Sequence, residues 1–210
     1  LELPSNLRVI FEEIVPSMKQ QINDFIICIS SHGKTVSQNG YEDDASREKL
    51  VLLTDDAKGV EYLDDSEFTS YFHSMKSVRR IISINDLCHS GGIVNLPFLY
   101  EGESKNGGYI RESGQNLFDG KNETKLVPII SICASYEEQY AMEVNGAGIF
   151  TTVLIETLDR LNDEFRSYNW AEVLTGIHDI FTKWGIINIQ YPVMLSNREK
   201  YICEKCWICN

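Results

Sequence analysis

The chain has 210 residues, of which 43% are hydrophobic and 24% charged, which excludes a disordered chain, a collagen-like fibre and a coiled coil. A domain of this length buries about 70% of its unfolded surface, so it needs no disulfide or metal staple to fold. With 19 basic against 31 acidic residues the formal net charge is −12, the wrong sign for a binder of nucleic acid that works by neutralising phosphates.

The first residues have neither a basic start nor an apolar run, and no stretch of 18 apolar residues occurs, so neither a signal peptide nor a membrane span is expected. The chain does not begin with Met, which leaves room for an upstream segment. Cys28, Cys88 and Cys133 are scattered through apolar runs, whereas Cys203, Cys206 and Cys209 cluster at the end. A secreted disulfide scaffold is smaller and denser in cysteine, so a reducing cytosol is the expectation.

In chain order, residues 5–23 place Leu7, Ile10, Phe11, Ile14, Val15, Met18 and Ile22 mostly three or four apart, the spacing of a helix. Residues 25–29 form an apolar run, a buried strand that ends at Ser30, Ser31, His32 and Gly33. Residues 34–49 are polar, include Gly40 and read as a loop. A short strand over 50–53 runs into Thr54, Asp55 and Asp56. Asp64, Asp65, Ser66 and Glu67 mark a helix start, because acidic residues suit the first turn. That helix carries Phe68, Tyr71, Phe72 and Met75 on its inner face.

The next buried strand, 80–86, delivers Cys88, His89, Ser90, Gly91 and Gly92 at its C-terminal end. Residues 101–125 contain Gly102, Gly107, Gly108, Gly114 and Gly120 among polar residues and read as a long exposed loop. A strand over 125–133 follows, then helices over 148–161 and 170–184. Strand and helix alternate, which predicts an α/β fold with a largely parallel sheet. Ligands in such sheets bind beyond the carboxyl ends of the strands, where His32, Cys88 and the Ser131 region fall.

A cysteine nucleophile needs a base close enough to make a thiolate, and donors for the oxyanion that forms at an attacked carbonyl. Cys88 precedes Gly91 and Gly92, whose missing side chains would leave backbone N–H groups open to a substrate. His32, backed by Gly33, ends a second strand and can stand in the same crevice. Composition alone favours a plainer alternative, in which both residues are simply packed. His89 is a competing base, although successive side chains of extended chain point apart.

The surrounding residues go further. Ser31, His32 and Gly33, with Asp86, Leu87, Cys88, His89, Ser90 and Gly91, resemble the histidine and cysteine motifs of the caspase-like cysteine peptidases. The Cys-His-Ser-Gly string is similar to that of the metacaspases. Residues 91–100 are similar to the run after the nucleophile in the type I members. Residues 131–133 with 137–143 resemble their small-subunit signature, and 190–196 their closing strand. The resemblance spans roughly residues 20–197.

It implies a caspase-like three-layer α/β fold whose mostly parallel central sheet is flanked by helices. Residues 1–200 would be the peptidase domain: large-subunit-like over 1–100, a linker over 101–125 and small-subunit-like over 126–200. Residues 201–210 are a Cys-rich tail. The family's first strand has no counterpart ahead of residue 5.

By the same resemblance Cys88 attacks the carbonyl after a P1 Arg or Lys, and His32 acts as general base or acid. The N–H groups of Gly33 and Cys88 are candidates for the oxyanion hole. Asp86, which read locally is a turn or helix-capping residue, becomes the carboxylate at the base of the S1 pocket, with Ser131 a weaker contact. Asp55, Asp64 and Asp65 are either a solvated acidic surface or ligands of Ca²⁺, which wants six to eight oxygens. The resemblance implies a calcium site there, with Asn95 where the family has Asp and therefore weaker affinity; Asp56 can replace Asp55 if the register slips.

Cys203, Cys206 and Cys209 have the spacing of a metal site but are one ligand short of a closed zinc centre. A shared site or an iron–sulfur cluster stays open beside the simpler reading, an incidental or reactive tail.

The expected activity is therefore a cysteine endopeptidase cleaving after Arg or Lys, stimulated by calcium, without an organic cofactor. It would process itself in the linker, where Lys105, Arg111, Lys121 and Lys125 lie. Its partners would be peptides, not nucleic acid or membrane, and a cytoplasmic monomer is expected. The alternatives are a transpeptidase on the same scaffold and a non-catalytic caspase-like interaction module.

Overall fold

Strand β5 (Val78–Asp86) is buried continuously from Ile81 to Asp86, and its alternate side chains feed two cores, as a strand covered on both faces must. Ile82 and Ile84 enter one core and Ile81 the other. The computed structural model describes residues 7, 10–18, 21–36, 47–53, 60–102, 108–113, 127–164 and 167–203.

The central sheet has the spatial order β1 (Ile22–Ser30), β5, β8 (Ile129–Cys133), β11 (Val193–Ser196), β6 (Phe98–Glu101), β7 (Tyr109–Glu112). β1, β5 and β8 pair in parallel. β11 runs antiparallel to both β8 and β6, and β7 antiparallel to β6. β1, β5, β8 and β6 thus point the same way, and the fold is a three-layer α/β arrangement with a mostly parallel sheet.

On one face lie α1, a π-turn over Ile10–Ile14 that runs into Val15–Ser17, and α2 (Asp65–Ser74). Phe68 and Phe72 of α2 are fully buried and Met75 nearly so, each burial contributing about 1.5–3 kcal/mol. The Phe11 ring meets Phe68 and Phe72 edge-on and stacks on Tyr71 at 4.9 Å. The same face carries a small antiparallel sheet of β2 (His32–Val36), β3 (Arg47–Leu53) and β4 (Val60–Asp64), which buries Leu50 and Leu63.

The opposite face is covered by α3 (Ile149–Asp163), α4 (Trp170–Lys183) and α5 (Glu199–Cys203). Phe150 and Val153, with Trp170, Val173, Ile177 and Phe181, pack there on Ile82, Ile130 and Ile132. α4 starts with a capping box in which Asn169 and Glu172 exchange side-chain to backbone hydrogen bonds of 2.9 Å. His178 of α4 is buried with its ring nitrogens 2.5 Å from the Gly102 carbonyl oxygen and 2.6 Å from that of Pro192. It ties the end of β6 to the chain entering β11.

Three expectations change. The segment 34–49 begins and ends in strand, because β2 and β3 pair across it. The first helix stops at Ser17, and Ile22 already belongs to β1. The linker contains β7, in which Arg111 pairs with Glu101 at 3.1 Å and lies over the Tyr136 ring. No described helix is long and apolar enough to cross a membrane.

Candidate active site

β1 and β5 are in register to their last residues, Ser30 opposite Asp86, so both chains leave the sheet at the same edge. The Ser31 N–H donates to the Asp86 carbonyl at 3.3 Å. The chain then turns into β2, and the backbone of Gly33 presses on Cys88: a Cβ there would stand 1.8 Å from the Cys88 carbonyl oxygen. Only glycine fits, and its position sets His32 beside the cysteine. Ser30, Ser31, His32, Asp86, Leu87 and Cys88 line one side of a crevice. The other side is Ala141, Met142 and the hairpin of β9 (Glu143–Val144) and β10 (Ala147–Gly148). Asn145 and Gly146, both at positive φ, make its turn.

Cys88 is half-buried and His32 exposed. The thiol is engaged by the backbone of Ala141, whose N–H donates to Sγ at 3.4 Å and whose carbonyl oxygen lies 3.8 Å from it. Among the described residues no hydrogen bond joins Cys88 to His32. Two glutamines, Gln190 buried and Gln139 half-buried, hold the covering segment. Gln190 accepts from the Met142 N–H at 2.9 Å and donates to the Ala134 carbonyl. Gln139 accepts from the Tyr191 N–H, and its carbonyl accepts from the His89 N–H. Sequence reasoning missed both glutamines, whose partners are distant in the chain.

His89 is turned away from the crevice. It sits at φ 58°, its Nδ1 is 2.7 Å from the Glu137 carbonyl oxygen, and its ring meets Tyr140 edge-on. Gly91 and Gly92 do not offer their N–H groups to a substrate, as their sequence suggested. They donate to the carbonyls of Ser135 and His89, because the turn Ser90–Gly92 packs on the exit of β8. Of the two oxyanion candidates, the Cys88 N–H has no acceptor among the described residues, and Gly33 lies in the β2–β3 ladder opposite Leu50.

Asp86 is 6% exposed. Its Oδ2 accepts two hydrogen bonds from Thr151, the N–H at 3.0 Å and the hydroxyl at 2.5 Å, so it caps the first turn of α3 while lining the crevice. Gly148 makes room, since a Cβ there would meet Oδ2 at 1.9 Å. Glu143 adds a second carboxylate at the rim. Ser131, by contrast, is 0% exposed and does not reach the crevice. In the sheet it is level with Ser83, and so faces the core opposite to that of Asp86. It accepts from Asn85 Nδ2 at 2.9 Å and contacts Cys133 Sγ at 3.3 Å. Burial pushes the Cys133 thiol up to about 12.

Of the calcium candidates, Asp64 occupies the N-cap position of α2 without a side-chain cap, and Asp65 is 7% exposed with its carboxylate accepting from the Ser66 N–H. The Asn95 N–H donates to the Thr69 hydroxyl, one helical turn beyond Asp65, and all three candidates carry side-chain oxygens. These are hard donors of the kind Ca²⁺ takes, but short of its six to eight oxygens. Asp55 and Asp56 lie outside the described residues, as do Cys206 and Cys209. Among the described residues no three His, Cys, Asp or Glu side chains come together as a metal site.

No protein-family model and no curated protein matches the chain. Among solved structures it is similar to the crystal structure of protein GSU0716 from Geobacter sulfurreducens, with a TM-score of 0.60 and 14% identity. The likeness covers 95% of this chain and 76% of that one, and at this identity it shows a shared fold alone.

Proposed function

We propose that this chain is a caspase-like cysteine endopeptidase, similar to the type I metacaspases, that cleaves after Arg or Lys. The observation that carries this reading is the crevice at the carboxyl ends of β1 and β5, which gathers a thiol, an imidazole and a buried carboxylate. Cys88 is the nucleophile, and His32 takes the thiol proton and returns it to the leaving amine. The Cys88 N–H receives the oxyanion, with Gly33 beside it. Asp86 and Glu143 attract a cationic P1 side chain.

The contact between Sγ and Ala141 makes the described state a resting one. Catalytic hydrogen bonds are commonly long without substrate. An arriving peptide must displace the Ala141 backbone before its carbonyl can meet the sulfur, after which His32 closes on the thiol.

Calcium belongs to the proposal as a ligand of Asp64, Asp65 and Asn95, and so does self-cleavage in the linker. Lys105, Lys121 and Lys125 lie outside the described residues; Arg111, fixed in β7, is the poorest of the four candidate sites. A cytoplasmic monomer acting on peptides completes the reading. The test is a screen of peptides varied at P1, with Cys88→Ala as control. Release after Arg and Lys, absent from the control, is expected; cleavage after Asp, or cleavage that survives in the control, contradicts it.

A further inference from the structure

The carboxylate in the crevice is only half available. Both hydrogen bonds that Thr151 donates to Asp86 end on the same oxygen, Oδ2. A carboxylate oxygen has about two lone-pair sites, so Oδ2 is saturated. Oδ1 has no hydrogen-bond partner among the described residues, and Asp86 lines the crevice. Thr151 stands third in α3, a helix of 15 residues, and its N–H is one of the donors that a helix start leaves without an intrahelical acceptor. The arrangement depends on the bare backbone of Gly148, where a Cβ would collide with Oδ2.

Resting on the endopeptidase reading above, we propose that Thr151 is a positioning residue for substrate selection, making Asp86 a receptor with one open oxygen. The advantage of Arg over Lys at a carboxylate is the parallel pair of hydrogen bonds from the guanidinium fork, one to each oxygen. With Oδ2 saturated that fork cannot form at Asp86. An arginine and a lysine side chain are then both held as charges on Oδ1. Glu143, on the exposed strand β9, adds negative charge without a fixed geometry. Removing the Thr151 hydroxyl while keeping its N–H reopens one site on Oδ2, and the fork becomes available.

Two measurements test this on the wild type, Thr151→Val and Thr151→Ser. The first is the KM and kcat of matched peptides with P1 Arg or Lys. The second is calorimetric binding of agmatine and cadaverine to the same proteins carrying Cys88→Ala. The wild type and Thr151→Ser should treat the two side chains alike, within about threefold. Thr151→Val should favour Arg and agmatine by about tenfold, through KM rather than kcat, as one added charge-assisted hydrogen bond implies. A tenfold Arg preference already present in the wild type overturns the proposal, even where Thr151→Val does not fold. So does an unchanged ratio in folded Thr151→Val with both amines still bound. Absence of both amine binding and peptide cleavage overturns the endopeptidase reading itself, and this proposal with it.

Discussion

Gly33 and Cys88 touch through their backbones: a Cβ on Gly33 would lie 1.8 Å from the Cys88 carbonyl oxygen and 2.9 Å from its carbonyl carbon. This contact, made between β2 and the turn that follows β5, is what brings His32 to the rim of the cysteine crevice.

Gly33→Ala therefore has to push β2 away from the turn that carries Cys88. Overpacking against backbone costs about 1–3 kcal/mol, and the displacement moves His32 from its place. Urea unfolding should show that loss, and peptide cleavage should fall about tenfold or more in protein that remains folded. Unchanged stability and rate would mean that the contact positions nothing.

Asp86 and Ser131 separate by sheet face. Asp86→Asn should cut cleavage after Arg or Lys about a hundredfold, since removing one partner of a buried charge pair costs roughly 2–5 kcal/mol. Ser131→Ala should leave that rate within about threefold while costing roughly 1–3 kcal/mol of stability, because it strands the Asn85 amide. Steady-state kinetics and denaturation of both variants decide; a substrate-binding effect at Ser131 would contradict the assignment.

Much of this frame was legible in the residues. The apolar runs ending at Asp86 and Cys133 are buried strands. The run ending at Ser30 is instead a strand at the sheet edge, where Ile26 and Cys28 are exposed and not buried as their apolar run suggested. The carboxyl ends of β1 and β5 gave the crevice. What failed was relational. Which face Ser131 takes depends on the register of β8 against β5, which no local pattern encodes. The partner of Asp86 is Thr151, on a helix far along the chain, so helix cap and crevice carboxylate looked like alternatives when one side chain is both. β2 was hidden because His32, Gly33, Lys34 and Thr35 have neither an apolar run nor a β-branched majority; tertiary pairing with β3 makes the strand.

Burial lowers the pKa of His73 and of His178. For His178 burial outweighs the Pro192 and Gly102 carbonyls and the charges of Asp179 and Glu101, all of which favour the proton. Unfolded histidine titrates near about 6.5, and above that both states are neutral. Below it the unfolded chain binds protons that the folded chain refuses, so stability falls as pH drops, until the folded histidines titrate. Between pH 7 and 5.5, urea unfolding should show the wild type losing more stability than a His73→Gln, His178→Gln double variant. Equal losses would contradict this.

The calcium proposal predicts millimolar dependence, at the weak end of protein sites. Asn95→Asp should lower the concentration needed by restoring a charge, and Asp65→Asn should abolish the stimulation. A cleavage titration with and without chelator reads both; full activity in chelator would remove calcium from the account.

The most direct test of the central claim is covalent. Incubating the protein with a peptidyl arginine chloromethyl ketone, then mapping the adduct by mass spectrometry, asks whether the crevice holds an activated thiol beside a cation site. The account predicts one adduct, on Cys88, suppressed by an arginine peptide and slowed by several orders of magnitude in His32→Ala. Labelling no faster at Cys88 than at the exposed Cys28 and Cys203, and unaffected by His32→Ala, would contradict it.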